Sequence, residues 1–315
     1  MQRWWGHAVG GLAVVAAFLL APFVLSSYQL GLLTTALVMA LFAESLSVLV
    51  QWLGLPSLGH AAHFGVGAYA VAILGALGWS GGGAGGAAGV GGLAGLCVAL
   101  LLGPLALRAR GGYFLLATLA LAQVLWGIAM KWIALTGGEH GLVVAGWAGR
   151  GAQSTSTYYG IAGVVFGVTL CLWWLLGSDF GRVLVGIREN ETRMAVLGWN
   201  VDGYRFAAFV LAGAGAGVAG GLHALHNGFV SPSDLSIATS AEVLFMVLLG
   251  EQLAARGVGQ FVSPVLGALL VVLLKHVVSS YTERWQMVMG LAFMGVLALR
   301  GGGRKRWERS AIERS

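Results

Sequence analysis

Two pairs of histidines have a spacing that could serve metal binding. His60 and His63, and likewise His223 and His226, stand three residues apart, which places each pair on one helical face. Zinc needs further ligands, such as the second histidine of an HExxH motif, and none is present. Ser57 and His60 are sequence neighbours and not a matched Ser–His pair from adjacent helices. We therefore expect packing or pore-lining roles for the histidines and no catalysis by this chain.

Two acidic residues lie within apolar runs. Glu44 stands in MALFAESLSVLV and Glu242 in SIATSAEVLFMVLLG. A charged group at the centre of a bilayer costs roughly 2.5–3.5 kcal/mol on insertion scales, so such residues are candidates for function. Each carboxylate either caps a helix or pairs with a neighbour, or it lines a substrate path. We expect Lys131 and Lys275 to lie near outer helix ends and to extend towards the interface.

Polar residues interrupt the apolar run between residues 113 and 135, and a threonine and two glycines follow directly after it. Broken helices expose backbone amides and carbonyls that can recognise a zwitterionic or polar solute. A simple helix end is the alternative. The candidate residues of a translocation path are Glu44, Ser57, His60, Thr118, Gln123, Thr136, Gly137, Gly138 and Glu242.

The composition indicates a membrane protein. Of 315 residues, 58% are hydrophobic and only 10% are charged, with a mean hydropathy of +0.84. Soluble domains carry about 25% charged residues. We predict an all-α, polytopic membrane bundle forming a single domain over 1–315, with either spanning or re-entrant helices at 60–78 and 236–250. With roughly 20 apolar residues per crossing, ten helices are predicted at 8–25, 30–53, 60–78, 88–107, 113–135, 157–177, 206–226, 236–250, 260–279 and 285–300.

The 178–206 segment differs from the rest of the chain because it contains eight charged residues. Such a density of charge cannot lie in hydrocarbon. The spacing between Arg182 and Leu197 predicts one short amphipathic helix beside the membrane.

The positions of the basic residues predict the orientation. With the N-terminus inside, fourteen of eighteen Lys and Arg residues fall in cytoplasmic segments, including 178–206 and the tail 301–315. Both termini are then cytoplasmic. Basic loops beside anionic lipid explain the net charge of +6 better than nucleic acid does.

Glycines are unusually frequent. The 81–92 stretch GGGAGGAAGVGG lacks the GK[ST] ending of a phosphate-binding loop, so we expect an external turn that leads into a glycine-faced helix. A second glycine-rich stretch, 213–221, permits close approach of helices. The pattern predicts a tightly packed bundle, with one glycine face available to a partner subunit.

Six stretches carry a resemblance to a known family. They are SLGHAAHFGVGAY (Ser57–Tyr69), RGGYFLLATLALAQ (Arg110–Gln123), LTGGEHGL (Leu135–Leu142), FGRVLVGIRENETRMAVLGWN (Phe180–Asn200), GFVSPSD (Gly228–Asp234) and EVLFMVLLG (Glu242–Gly250). In this order they resemble the LivM-like permease subunits of ABC importers for branched-chain amino acids, in the bacterial inner membrane. The chain departs from the family pattern at His63 and in Gly250–Pro264, where Glu251 replaces a glycine.

The resemblance implies a division of labour between subunits. The partners would be a homologous second permease, two ATP-binding subunits that use the ATP, and an extracytoplasmic solute-binding protein. This chain itself would bind no cofactor. A cytoplasmic loop would dock on the ATPase, with Gly198 ending its helix. The docking residues carried over are Arg188, Glu189, Asn190, Glu191, Ala195, Leu197 and Gly198.

Two alternatives to a branched-chain or related neutral amino acid importer stay open at this stage. Relatives in the family move urea or short amides, which leaves the solute undecided. An ion-coupled secondary transporter would need inverted repeats and ion-coordinating acids, and the sequence shows no obvious repeat.

Overall fold

The computed structural model describes residues 21–23, 25–79, 81–144, 155–253 and 260–281, together with residues 287, 288, 290, 291 and 294. Most of the predicted helices 8–25 and 285–300, and all of the tail 301–315, lie outside the described residues. The helices are α1 Ser27–Ser47, α2 His60–Ala76, α3 Gly83–Ala106, α4 Gly112–Lys131, α5 Ile133–Thr136, α6 Thr155–Leu176, α7 Asp179–Glu189, α8 Glu191–Val196, α9 Val201–Asn227, α10 Ile237–Leu253 and α11 Val262–Ser279.

The prediction of a multi-pass helical bundle is confirmed. Within the described part of the chain, six helices are long and apolar enough to cross a membrane. One of them is α1 together with the π-helical turn Val48–Trp52 that continues it. The total of ten stays a prediction. Two short strands, β1 Leu142–Val143 and β2 Phe229–Val230, pair antiparallel, with Leu142 opposite Val230. We call this side of the bundle the strand end, and the side that carries α7 and α8 the charged end.

The helices α3 and α9 pack closely through glycines. A Cβ atom on Gly217 would meet the backbone of Gly91 and Gly95, and one on Gly95 would meet the carbonyl of Gly213. Glycines therefore let the two helix backbones touch. Gly91 and Gly95 are thus covered by α9 within this chain. Gly85 and Gly89, also on α3, are exposed with no atom within 4 Å of their Cβ positions, so a glycine face for a partner subunit stays a prediction. The helix predicted at 88–107 also begins earlier, at Gly83, so the turn before it is shorter than expected.

The two helices whose crossing was uncertain both begin inside the bundle. After α1, residues 53–59 lead inward, and α2 starts at His60, whose ring lies against Ser45 of α1. From the strand end, residues 231–236 lead inward too. The side chain of Leu235 in this segment fills the space over Gly65 of α2. Helix α10 then runs to the charged end. Each segment therefore enters the bundle as non-helical chain and becomes helical only in the interior. Whether the segments span or re-enter the membrane stays a prediction.

The charged segment forms two helices where the sequence predicts one. Helix α7 ends at Glu189, and Asn190 begins α8 because its side chain accepts a hydrogen bond from the Arg193 amide at 2.8 Å. Helix α9 already begins at Val201, so the loop ends before residue 206. The fold thereby sets α8 at an angle to α7 instead of continuing it.

Candidate functional site

The starts of α2 and α10 meet in the interior. The backbone amide of Ala61, in the first turn of α2, donates a hydrogen bond of 3.0 Å to Oγ of Ser240, in the first turn of α10. Both residues are fully buried. The partial positive charges of two helix N-termini therefore lie close together inside an apolar bundle, an arrangement that favours the carboxylate of a solute.

His60 is fixed at this centre by Ser45. The Ser45 hydroxyl donates to the carbonyl of Phe42 at 2.7 Å and lies 2.8 Å from Nε2 of His60. The two contacts fit together in the tautomer of His60 whose Nε2–H donates to Ser45. The imidazole also stacks on the Phe42 ring, with 5.4 Å between centroids. His60 thus positions the start of α2, and Ser45 and Ser240 are central residues that the sequence patterns did not single out.

Ser57 and Thr118 belong to the same centre. The Ser57 hydroxyl accepts a hydrogen bond from the Gly59 amide at 3.2 Å. A Cβ atom at Gly59 would meet the carbonyl of Thr118 on α4, so the inward segment lies directly against that helix. Gln123 lies further along α4 and is half-buried. Three of the predicted path residues are thus brought together: Ser57, His60 and Thr118.

The two intramembrane acids lie elsewhere and have partners. Glu44 accepts a hydrogen bond of 2.6 Å from the Thr169 hydroxyl of α6. Glu242 accepts from Nζ of Lys275 on α11 at 2.9 Å. Both carboxylates thus have a partner, as the pairing interpretation predicts, and a role in a substrate path stays a prediction. The ammonium group of Lys275 ties α11 to α10, and its extension towards the interface stays a prediction as well.

The residues predicted around a helix break lie at the strand end. The Thr136 hydroxyl lies 2.7 Å from the carbonyl oxygens of both Ala129 and Trp132, which share its one proton. Gly137 and Gly138 both have positive φ, at +73° and +57°, and turn the chain towards β1. They complete a helix end and are separate from the centre where α2 and α10 meet.

The remaining histidines have packing contacts. The buried ring of His63 lies edge-on to Phe209, with 5.4 Å between centroids. His223 lies 3.6 Å from Asp234, and His226 lies 3.2 Å from the hydroxyl of Thr35. Over the residues that the structure describes, no group of three His, Cys, Asp or Glu side chains could hold a metal ion. The packing role expected for the histidines agrees with these contacts.

The charged end presents an exposed apolar tip. No residue of α8 is buried, and Val196 and Leu197 are 83% and 66% exposed. Gly198 has φ of +89° and ends the helix, as predicted. Ala195 and Glu189 are also exposed. An exposed apolar surface rimmed by charges is typical of a protein interaction site.

An ion pair holds this tip to the bundle. Arg205, near the start of α9, is only 3% exposed, and its guanidinium lies 3.1 Å from Glu191 at the start of α8. Arg110, between α3 and α4, lies 3.9 Å from the same carboxylate. Arg188, at the end of α7, donates to the backbone carbonyl of Gln51. A cavity of about 540 Å³ lies between these groups, and Gly54 and Glu251 also line it.

Comparison with known proteins identifies the family. The family model described as the permease component of branched-chain amino acid transport systems matches residues 28–297. The high-affinity branched-chain amino acid transport system permease protein LivM of Escherichia coli K12 is 28% identical over 312 residues, covering 89% of this chain and 71% of that protein. LivM of Salmonella typhimurium LT2 is 27% identical over 304 residues, covering 85% and 68%. No solved structure matches the chain. The chain therefore belongs to the family of permease components of branched-chain amino acid transport systems.

Proposed function

We propose that this chain is the membrane subunit of an ATP-driven importer that moves branched-chain or related neutral amino acids and does no chemistry itself. The proposal follows from family membership and from one structural observation. The α8 tip exposes the apolar Val196 and Leu197, and α8 is short, held at its start by the Glu191–Arg205 ion pair and followed directly by α9. Such an element can pass a rigid-body displacement to the bundle when a partner binds it.

In this proposal the charged end faces the cytoplasm and a separate ATPase subunit docks on α7 and α8. The excess of basic residues in the segments assigned to that side supports this orientation. The assembly includes a second permease, two ATP-hydrolysing subunits and an extracytoplasmic solute-binding protein. Both termini of this chain are cytoplasmic, and ATP is bound by the partner.

The centre formed by the first turns of α2 and α10 is the proposed solute path. Its polar groups are hydroxyls, an imidazole and backbone amides, and its surroundings are apolar. This mixture suits a zwitterion with an aliphatic side chain, since helix N-termini favour a carboxylate. Urea and short amides are the alternative solutes, and the same uptake assay distinguishes them.

The test uses the complete importer in proteoliposomes. We expect ATP-dependent uptake of leucine, isoleucine or valine to exceed uptake of urea. Uptake that persists without the ATPase subunits, driven by an ion gradient, refutes the proposal.

A pair of variants tests the docking surface. Leu197→Glu places a carboxylate in the apolar tip, and we expect it to abolish co-purification of the ATPase. Val143→Glu is the matched control, because Val143 is also an exposed apolar residue, 62% exposed, but lies at the strand end. Equal ATPase retention by both variants contradicts the assignment of the tip.

A further inference from the structure

A polar contact joins α7 to the end of α1, from which residues 53–59 lead to the start of α2. It begins at Arg188, the penultimate residue of α7, whose guanidinium donates to the backbone carbonyl of Gln51. Gln51 belongs to the π-helical turn Val48–Trp52 at the end of α1. Such turns within helices are rare and are frequently found at functional sites.

Gln51 joins a third helix to this point. Its side chain is 2% exposed, and its Nε2 donates to Oγ of Ser263 at 2.8 Å. Ser263, also 2% exposed, lies in the first turn of α11. The backbone of Gln51 thus contacts α7 and its side chain contacts α11. One residue therefore links the docking segment to two helices of the bundle.

Gly54 leaves room for the side chain of Arg188. It has φ of +74°, a conformation that L side chains rarely adopt. A Cβ atom there would lie 2.9 Å from Cγ of Arg188, so the arginine stem passes directly over the glycine. Five residues later the chain reaches Gly59, which lies against Thr118, and α2 then begins at His60.

We propose that Gln51 and Gly54, together with Arg188, form a joint that transmits displacement of α7 to the start of α2. Gln51 and Gly54 act as positioning residues for transport, since they contact neither the solute centre nor the exposed α8 tip. The inference rests on the proposed function, in which an ATPase moves α7 and α8. When α7 shifts, Arg188 carries the turn at Gln51 with it, and residues 53–59 move the first turn of α2.

The first test is Gly54→Ala in the complete importer. The new methyl group displaces the Arg188 stem without altering the α8 tip. We expect ATPase co-purification as in the unmodified protein, but uptake per ATP hydrolysed to fall by about tenfold, within the range of mutations along a coupling network. Gly78→Ala is the matched control, because Gly78 has φ of +88° and no atom within 4 Å of its Cβ position. Uptake per ATP that is equal in the two variants overturns the joint.

A second test does not depend on backbone strain. The double variant Gln51→Leu with Ser263→Ala replaces both partners of a buried hydrogen bond by apolar groups, a change that can be nearly neutral for stability. We expect unchanged thermal unfolding and ATPase binding with reduced uptake per ATP. Ser263→Thr keeps the hydroxyl and is expected to keep coupling. A double variant that couples normally removes the side-chain link between Gln51 and α11 from the joint. If the unmodified importer shows no ATP-dependent uptake, that result refutes the proposed function and not the joint.

Discussion

The strongest prediction on stability concerns Glu191. Replacing it with alanine removes the carboxylate that lies 3.1 Å from the guanidinium of Arg205, which is 3% exposed. Asp202 is 4.0 Å away and largely exposed, so it compensates only weakly. Breaking a fully buried pair costs about 3–5 kcal/mol. Because Glu191 itself is 38% exposed, solvent screening lowers the expected loss to about 2 kcal/mol.

The assay is reversible unfolding of the purified chain in detergent, with ATPase co-purification as a second measurement. We expect Glu191→Ala to lower the free energy of unfolding and to release α8, so that ATPase binding also weakens. Glu189→Ala is the control. Glu189 is exposed and has no ion pair among the described residues, so its loss changes stability by about 0.5 kcal/mol or less.

A double-mutant cycle isolates the pair itself. Arg205→Ala alone also removes the interaction, and the double variant with Glu191→Ala leaves no buried charge unpaired. We expect an interaction energy of about 1–2 kcal/mol between the two positions. An interaction energy near zero, or a Glu191→Ala variant as stable as Glu189→Ala, refutes the view that this pair anchors α8.

Three further experiments test residues inside the bundle. Gly217→Leu is expected to prevent α3 and α9 from meeting and to lower the unfolding temperature in detergent, whereas Gly163→Leu, with no atom within 4 Å of its Cβ position, leaves it unchanged. Glu242→Gln is expected to destabilise the chain by removing the carboxylate that accepts from Lys275, and Lys275→Gln in the same chain restores part of the loss in thermal unfolding. Glu44→Gln keeps a hydrogen-bond acceptor and is expected to retain uptake, and a complete loss of transport contradicts its structural role.

Much of the fold could be predicted because membrane helices have a strong local signal. Apolar runs of sufficient length placed α1, α3, α4, α6, α9 and α11 within a few residues of their observed bounds. The main errors lie where the residue types are ambiguous. Glycine is a poor helix former in isolation, so the start of α3 at Gly83 was predicted as a turn, although packing against α9 makes it helical.

The candidate site could be predicted only in part, because residue types do not reveal which helices meet. The structure brings Ser57, His60 and Thr118 together, and their role in a translocation path stays a prediction. Glu44 and Glu242 had equally informative sequence contexts, yet they point to α6 and α11. Their partners, Thr169 and Lys275, are too distant in sequence for any local pattern to connect them.

The sequence by itself determined that the chain is a multi-pass membrane bundle with one charged segment, because so few charges and such long apolar runs permit no other class. Only the tertiary structure decided how that segment is attached. The break at Asn190, the burial of Arg205 and the contact of Arg188 with Gln51 join residues from separate helices. Such long-range contacts depend on how whole helices pack, which neither helical periodicity nor hydropathy encodes locally.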